Sequence, residues 1–117
     1  MGDRGNIKVI QNPYPVYLYT HYSGSHIQEI ARVALSRRWR WNDPAYLTRI
    51  IFDELTKDEH GEETGYGIST RIEDNEHPIV VIDPQNQRVW LEDVNEQTIS
   101  KCLFFDEFLH LDFEMLG

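Results

Sequence analysis

The chain has a single cysteine, few basic residues and no long apolar run, and each shortage excludes something. A lone Cys102 cannot close an internal disulfide or supply a cysteine-rich zinc site. Its setting, Lys101-Cys102-Leu103-Phe104, reads as a buried, inert thiol. No stretch approaches the ~18–20 apolar residues of a membrane helix, and MGDRGNIKV at the N-terminus carries no hydrophobic leader, so no membrane partner is expected. Eleven Lys and Arg stand against 20 Asp and Glu, for a net charge of −9. A deficit of cations argues against nucleic acid and anionic lipid, since both begin with attraction to negative charge.

Signatures of chemistry are equally scarce. The sequence has no GxSxG elbow, no phosphate-cradling glycine pattern and no HExxH. Five histidines (His21, His26, His60, His77 and His110) form no H-x-x-x-H pair. Neither metal nor cofactor is therefore expected, and the chain reads as a binder rather than an enzyme.

What is present suits one cytoplasmic domain spanning residues 1–117. Apolar residues make up 40% and aromatics 12%, enough for one core and too much for a disordered acidic tail. Charge is unevenly divided: residues 1–52 carry seven basic and three acidic side chains, and residues 53–117 carry four basic and seventeen acidic. Such bipolarity reads either as solvated helix and loop faces that keep a small domain soluble, or as an acidic surface facing a partner, or as subunits that attract each other's opposite ends, a dimer first of all.

Periodicity supplies the elements. GNIKVIQ (5–11) and PVYLYTHY (15–22) predict two strands joined through Asn12-Pro13-Tyr14-Pro15, where the prolines interrupt any ladder. Ser23-Gly24-Ser25 breaks the pattern, and from His26 the spacing becomes helical, with Ile27, Ile30, Ala31 and Ala34 on one stripe of a helix that starts at about residue 25. That helix should run to about residue 38. Asp43-Pro44 predicts an N-cap and first turn for a second helix over 44–57, striped by Leu47, Ile50, Ile51 and Leu55. On its outer face Arg49–Asp53 and Asp53–Lys57 fall at i,i+4. Strands follow at 66–72, 78–83 and 88–92, with Gly67 marking a bulge or the close approach of another backbone or a ligand. FFDEFLHL suggests a short C-terminal helix. The order β-β-α-α-β-β-β predicts an α+β fold: an antiparallel sheet of about five strands with two helices on one face.

One segment stands out for function. In Tyr19–His26, YTHYSGSH, a strand of polar aromatics passes through Gly24 into a helix start flanked by Ser23 and Ser25. Free amides at a helix N-terminus together with hydroxyls make an anion site, and His21 and His26 add charge when protonated. Tyr19, His21, Ser23, Gly24, Ser25 and His26 are thus candidate ligand-binding residues, with Arg4, Arg71 or the arginines of RRWRW (37–41) to close the pocket. The competing expectation is a plain capped joint in which Ser23 or Ser25 satisfies backbone donors. RRWRW itself reads either as a helix end whose tryptophans pack on the sheet or as a basic, stacking surface.

Four ordered motifs carry a resemblance: GDRGNI (2–7), VYLYTHYSG (16–24), DPAYLTRIIFDEL (43–55) and ETGYGIST (63–70). Together they resemble a family of small uncharacterised proteins of tailed-phage and prophage genomes, in which tryptophan often stands where this chain has Tyr22. The resemblance implies an accessory protein acting on a host system, defence included, in the host cytoplasm, and it assigns no catalytic residue. Two functions are expected from this point: capture of a phosphate-bearing small molecule such as a nucleotide signal at the 19–26 joint, or occupation of a basic surface on a host protein by the acidic half, as DNA-mimicking inhibitors do.

Overall fold

Prolines at 13 and 15 end one strand and delay the next, so β1 (Gly5–Val9) and β2 (Val16–Thr20) form a hairpin with Ile7 opposite Leu18. The computed structural model describes residues 2–59, 61, 63–72 and 74–111. After β2 come a 3-10 turn (Gly24–His26), α1 (Ile27–Ser36) and α2 (Pro44–Thr56). Then follow β3 (Tyr66–Ser69), β4 (Ile79–Asp83), β5 (Arg88–Glu92), a two-residue β6 (Leu103–Phe104) and α3 (Phe105–Leu109). The α+β class, both helices and the short C-terminal helix agree with expectation. The first helix, expected over 25–38, is shorter, because its opening residues wind as the 3-10 turn and Arg38 takes a left-handed φ of 57°.

The sheet differs from expectation in two ways. Among the described residues it has six strands, ordered β3-β2-β1-β4-β5-β6, and it is mixed: β4 lies parallel to β1, with Ile7 opposite Val80. The β1–β2 hairpin leaves one side of β1 open, and the most apolar strand, IVVID, fills it. All five residues of β1 and all five of β4 are buried, as suits strands covered on both faces. Gly67 is no bulge, since β3 pairs with β2 in unbroken register through it.

Helices cover one face. Ile7, Val9, Leu18, Val80, Ile82 and Leu91 point from the sheet into a core completed by Ile27, Ala31, Leu35, Leu47, Ile51 and the two buried phenylalanines of α3. Among the described residues the opposite face is covered by irregular chain. The β3–β4 crossover crosses it, and Asn6 on β1 donates from Nδ2 to the Asp74 carbonyl (3.1 Å) and to Asn75 Oδ1 (3.0 Å). Residues 93–99 fold back onto β5, where Ile99 donates to the Leu91 carbonyl at 2.9 Å.

Caps divide by where their partners lie in the chain. Asp43 caps α2 as expected, its carboxylate accepting from the Tyr46 amide at 3.3 Å behind Pro44. Arg49 pairs with Asp53, but Lys57 turns to Glu54 (2.8 Å) instead of Asp53. Buried Glu54 also holds Arg37, and this low-dielectric anion outcompetes an exposed one. Cys102, expected to be buried, is exposed just before β6.

Candidate functional site

The strand-to-helix joint is built from three of the four motifs. β2 delivers His21, whose amide donates to the Gly65 carbonyl at 2.8 Å. Gly65 has a φ of +106°, and a Cβ there would meet the Tyr22 ring at 2.7 Å, so the aromatic lies directly on the glycine. The N-terminal segment closes the third side: Asp3 donates its amide to the His21 carbonyl and accepts the Gly24 amide on its own carbonyl, both at 2.7 Å. Gly24 is required by close approach, since a Cβ would stand 2.7 Å from the carbonyl carbon and oxygen of Arg4. That close approach is to the chain itself.

The joint's main-chain donors and the Ser25 hydroxyl are engaged internally, whereas Arg4 Nε is buried there with no hydrogen-bond partner among the described residues. Asp3 Oδ2 accepts both the Ser25 amide (3.0 Å) and the Ser25 hydroxyl (2.6 Å), and Asp3 Oδ1 meets His77 Nε2. The His26 amide donates to the Ser23 carbonyl and the Ile27 amide to the Gly24 carbonyl, so every amide from residue 24 to 27 has an acceptor. Neither Ser23 nor Ser25 caps the helix through its side chain; a carboxylate from 22 residues upstream does the work expected of a serine. The Ser25 hydroxyl, Ser25 amide and His77 hold the Asp3 carboxyl down at about 2. Ser25, Asp3 and His77 do not make a nucleophilic relay. The hydroxyl donates to a carboxylate that is a very weak base, and the imidazole lies on that carboxylate's far side.

The remaining candidate residues separate. His21 Nδ1 lies 3.0 Å from the Tyr19 hydroxyl, and its ring sits with Arg4 Nε around Gly2. Arg4 stays at the joint through its main chain, with its amide donating to Glu76 Oε1 at 2.8 Å and its carbonyl accepting the Glu76 amide. Arg71 does not close this pocket. It follows β3 at the end where Ser69 faces Tyr17, whereas the joint lies at the Thr20–Tyr66 end. RRWRW follows the far end of α1 and does not close it either. Its tryptophans divide: Trp41 donates to the Leu35 carbonyl at 2.9 Å and meets Phe105 edge-on, while Trp39 is 57% exposed.

Beside the joint lies the feature that periodicity did not foresee. A cleft of about 290 Å³ opens between α1, α2 and the start of β3, bordered by Ser23 and His26 from the joint. Ile30, Val33 and Leu55 give it apolar walls, and four carboxylates (Glu29, Glu54, Asp58 and Glu59) line it against one lysine, Lys57. Glu29 is paired with Arg32, and Glu54 with Arg37 and Lys57. Burial and the neighbouring Glu59 push the Tyr66 phenol up. Asp58 and Glu59 therefore carry the cleft's outward negative charge. Lys57-Asp58-Glu59 in the sequence was the available signal, and only packing of α2 against α1 makes those residues line a cleft.

Among the described residues no group of three His, Cys, Asp or Glu side chains is placed to hold a metal ion, and no helix is long and apolar enough to cross a membrane. No protein-family model, curated protein or solved structure matches the chain.

Proposed function

We propose that this protein is a non-enzymatic interaction protein that seats a basic segment of a partner protein in the acidic cleft between α1 and α2. The observation that carries this reading is the cleft's composition, apolar walls with Asp58 and Glu59 at the rim. A lysine or arginine suits it, with an aliphatic stem for Ile30, Val33 and Leu55 and a charged head for the carboxylates. An anionic ligand is the weaker reading, because Asp3 already occupies the Ser25 donors that a phosphate would need. The motif resemblance supplies the setting: a phage accessory protein in the host cytoplasm, its acidic surface covering a basic site on a host protein, defence systems included.

The test is binding of a fluorescent peptide of alternating Arg and Leu, measured by polarisation at two salt concentrations. Wild-type protein should bind it more tightly at low salt, and the double reversal Asp58→Lys, Glu59→Lys should lose at least tenfold in affinity. Equal binding by the reversed variant would remove the cleft from the function. A thermal midpoint raised by phosphate or a nucleotide would favour the joint instead.

A further inference from the structure

We propose that the outer edge of β3 is a docking strand for a second copy of this chain, paired antiparallel about a two-fold axis at Gly67. Hydrogen-bond parity along β3 sets which groups face outward. The Gly65 carbonyl accepts from His21 on β2, and bonding alternates along an antiparallel ladder. Residues 65, 67 and 69 thus aim their backbone groups at β2, and Tyr66 and Ile68 aim theirs away from it. Among the described residues β3 is the last strand of the sheet, and no hydrogen bond occupies those outward groups.

An open edge of this kind is ordinarily blunted by proline, lysine, a bulge or a covering segment. Tyr66–Ser69 carries no proline, no charge and no bulge, and Ile68 is 62% exposed. The other edge strand, β6, is two residues long and runs straight into α3.

Of the registers that join outward-facing residues, the one centred on Gly67 makes the most of this short strand. Tyr66 opposite Ile68 of the other copy joins outward-facing residues and gives four main-chain hydrogen bonds around the axis. It also sets an aromatic beside a β-branched side chain, a favourable cross-strand pair. Gly67 then faces its own copy at a non-hydrogen-bonded position, where Cα atoms approach to about 4.5 Å. Inside the chain nothing demands glycine there, since a Cβ would meet only the Tyr19 Cβ at 4.0 Å. The same register sets Glu63, before the strand, opposite Arg71, after it, at both ends. Both are exposed, and neither has an ion-pair partner among the described residues.

Light scattering of the full chain tests this. Wild-type protein should approach twice the 13.9 kDa chain mass as concentration rises. Ile68→Pro deletes an outward N–H without touching the ladder to β2, and should weaken self-association about tenfold or more. Glu63→Arg and Arg71→Glu should each weaken it too, and the double swap should restore it. That pair of variants decides the matter if Ile68→Pro fails to fold. A one-chain mass at every concentration overturns the proposal, as does a dimer that none of these changes weakens. Loss with Ile68→Pro alone, the swaps being inert, keeps the edge and overturns the register.

Discussion

Lys8 and Glu92 form an ion pair of 3.1 Å across β4, on the sheet face away from the helices, with both side chains only 10% exposed. Glu96 approaches the same ammonium at 3.3 Å, and the Trp90 indole donates to the second oxygen of Glu92 at 2.9 Å. Burial opposes the lysine's charge, but the Glu92 hydrogen bond and its charge more than offset that and raise the Lys8 pKa. Breaking such a pair from one side strands a buried charge. Lys8→Met should therefore cost about 3–5 kcal/mol in denaturant unfolding. A cost below ~1 kcal/mol would mean that water reaches Glu92 freely.

Acid should loosen the joint. Asp3 has a folded pKa of about 2 against an ordinary 3.8, so it binds a proton more readily in the unfolded chain. Its contribution to stability is complete above pH 3.8 and disappears as pH falls from there through 2. Asp3→Asn should be less stable than wild type at pH 6 and should show a shallower loss between pH 4 and pH 2. Parallel pH profiles for the two proteins would show that the Ser25 contacts do not form in solution.

Gly24 should tolerate no side chain. In Gly24→Ala the new methyl lies 2.6 Å from the His77 ring and 2.7 Å from the Arg4 main chain. Thermal melts should report a loss of about 1–3 kcal/mol, the cost of overpacking. Wild-type stability with the added methyl would place the joint further from β1.

Phosphate and nucleotides should leave the wild-type midpoint where it is. A ligand at a hundredfold excess over its Kd would add about 2.7 kcal/mol to stability. A shift of that size would mean that an anion displaces Asp3 from Ser25.

Ile51→Asp should abolish the cooperative transition. Ile51 is fully buried in the core, where a carboxylate would have no partner. A variant with the wild-type midpoint would show that α2 does not pack as described.

Local signals carried the elements. A period of two in VYLYT and IVVID, a period of 3.6 in IQEIARVAL, and Asp43-Pro44 each act within a few residues, and the structure places strands, helices and a cap there. The same signals misassigned the caps of α1, because serines beside a helix start look like caps whether or not a distant carboxylate reaches the amides first. Cys102 failed for a related reason: apolar neighbours at an edge do not guarantee burial.

By itself the sequence determined the α+β class, the β1–β2 and β4–β5 hairpins and the two amphipathic helices, since these depend on residues close in the chain. Tertiary structure alone decided that β4 joins β1 in parallel, that Asp3 meets Ser25 and His77, that Lys8 meets Glu92, and that α1 and α2 enclose an acidic cleft. The side-chain pairs among them lie 22 to 84 positions apart. Periodicity reports which face of an element is buried and carries no information about which distant element covers it.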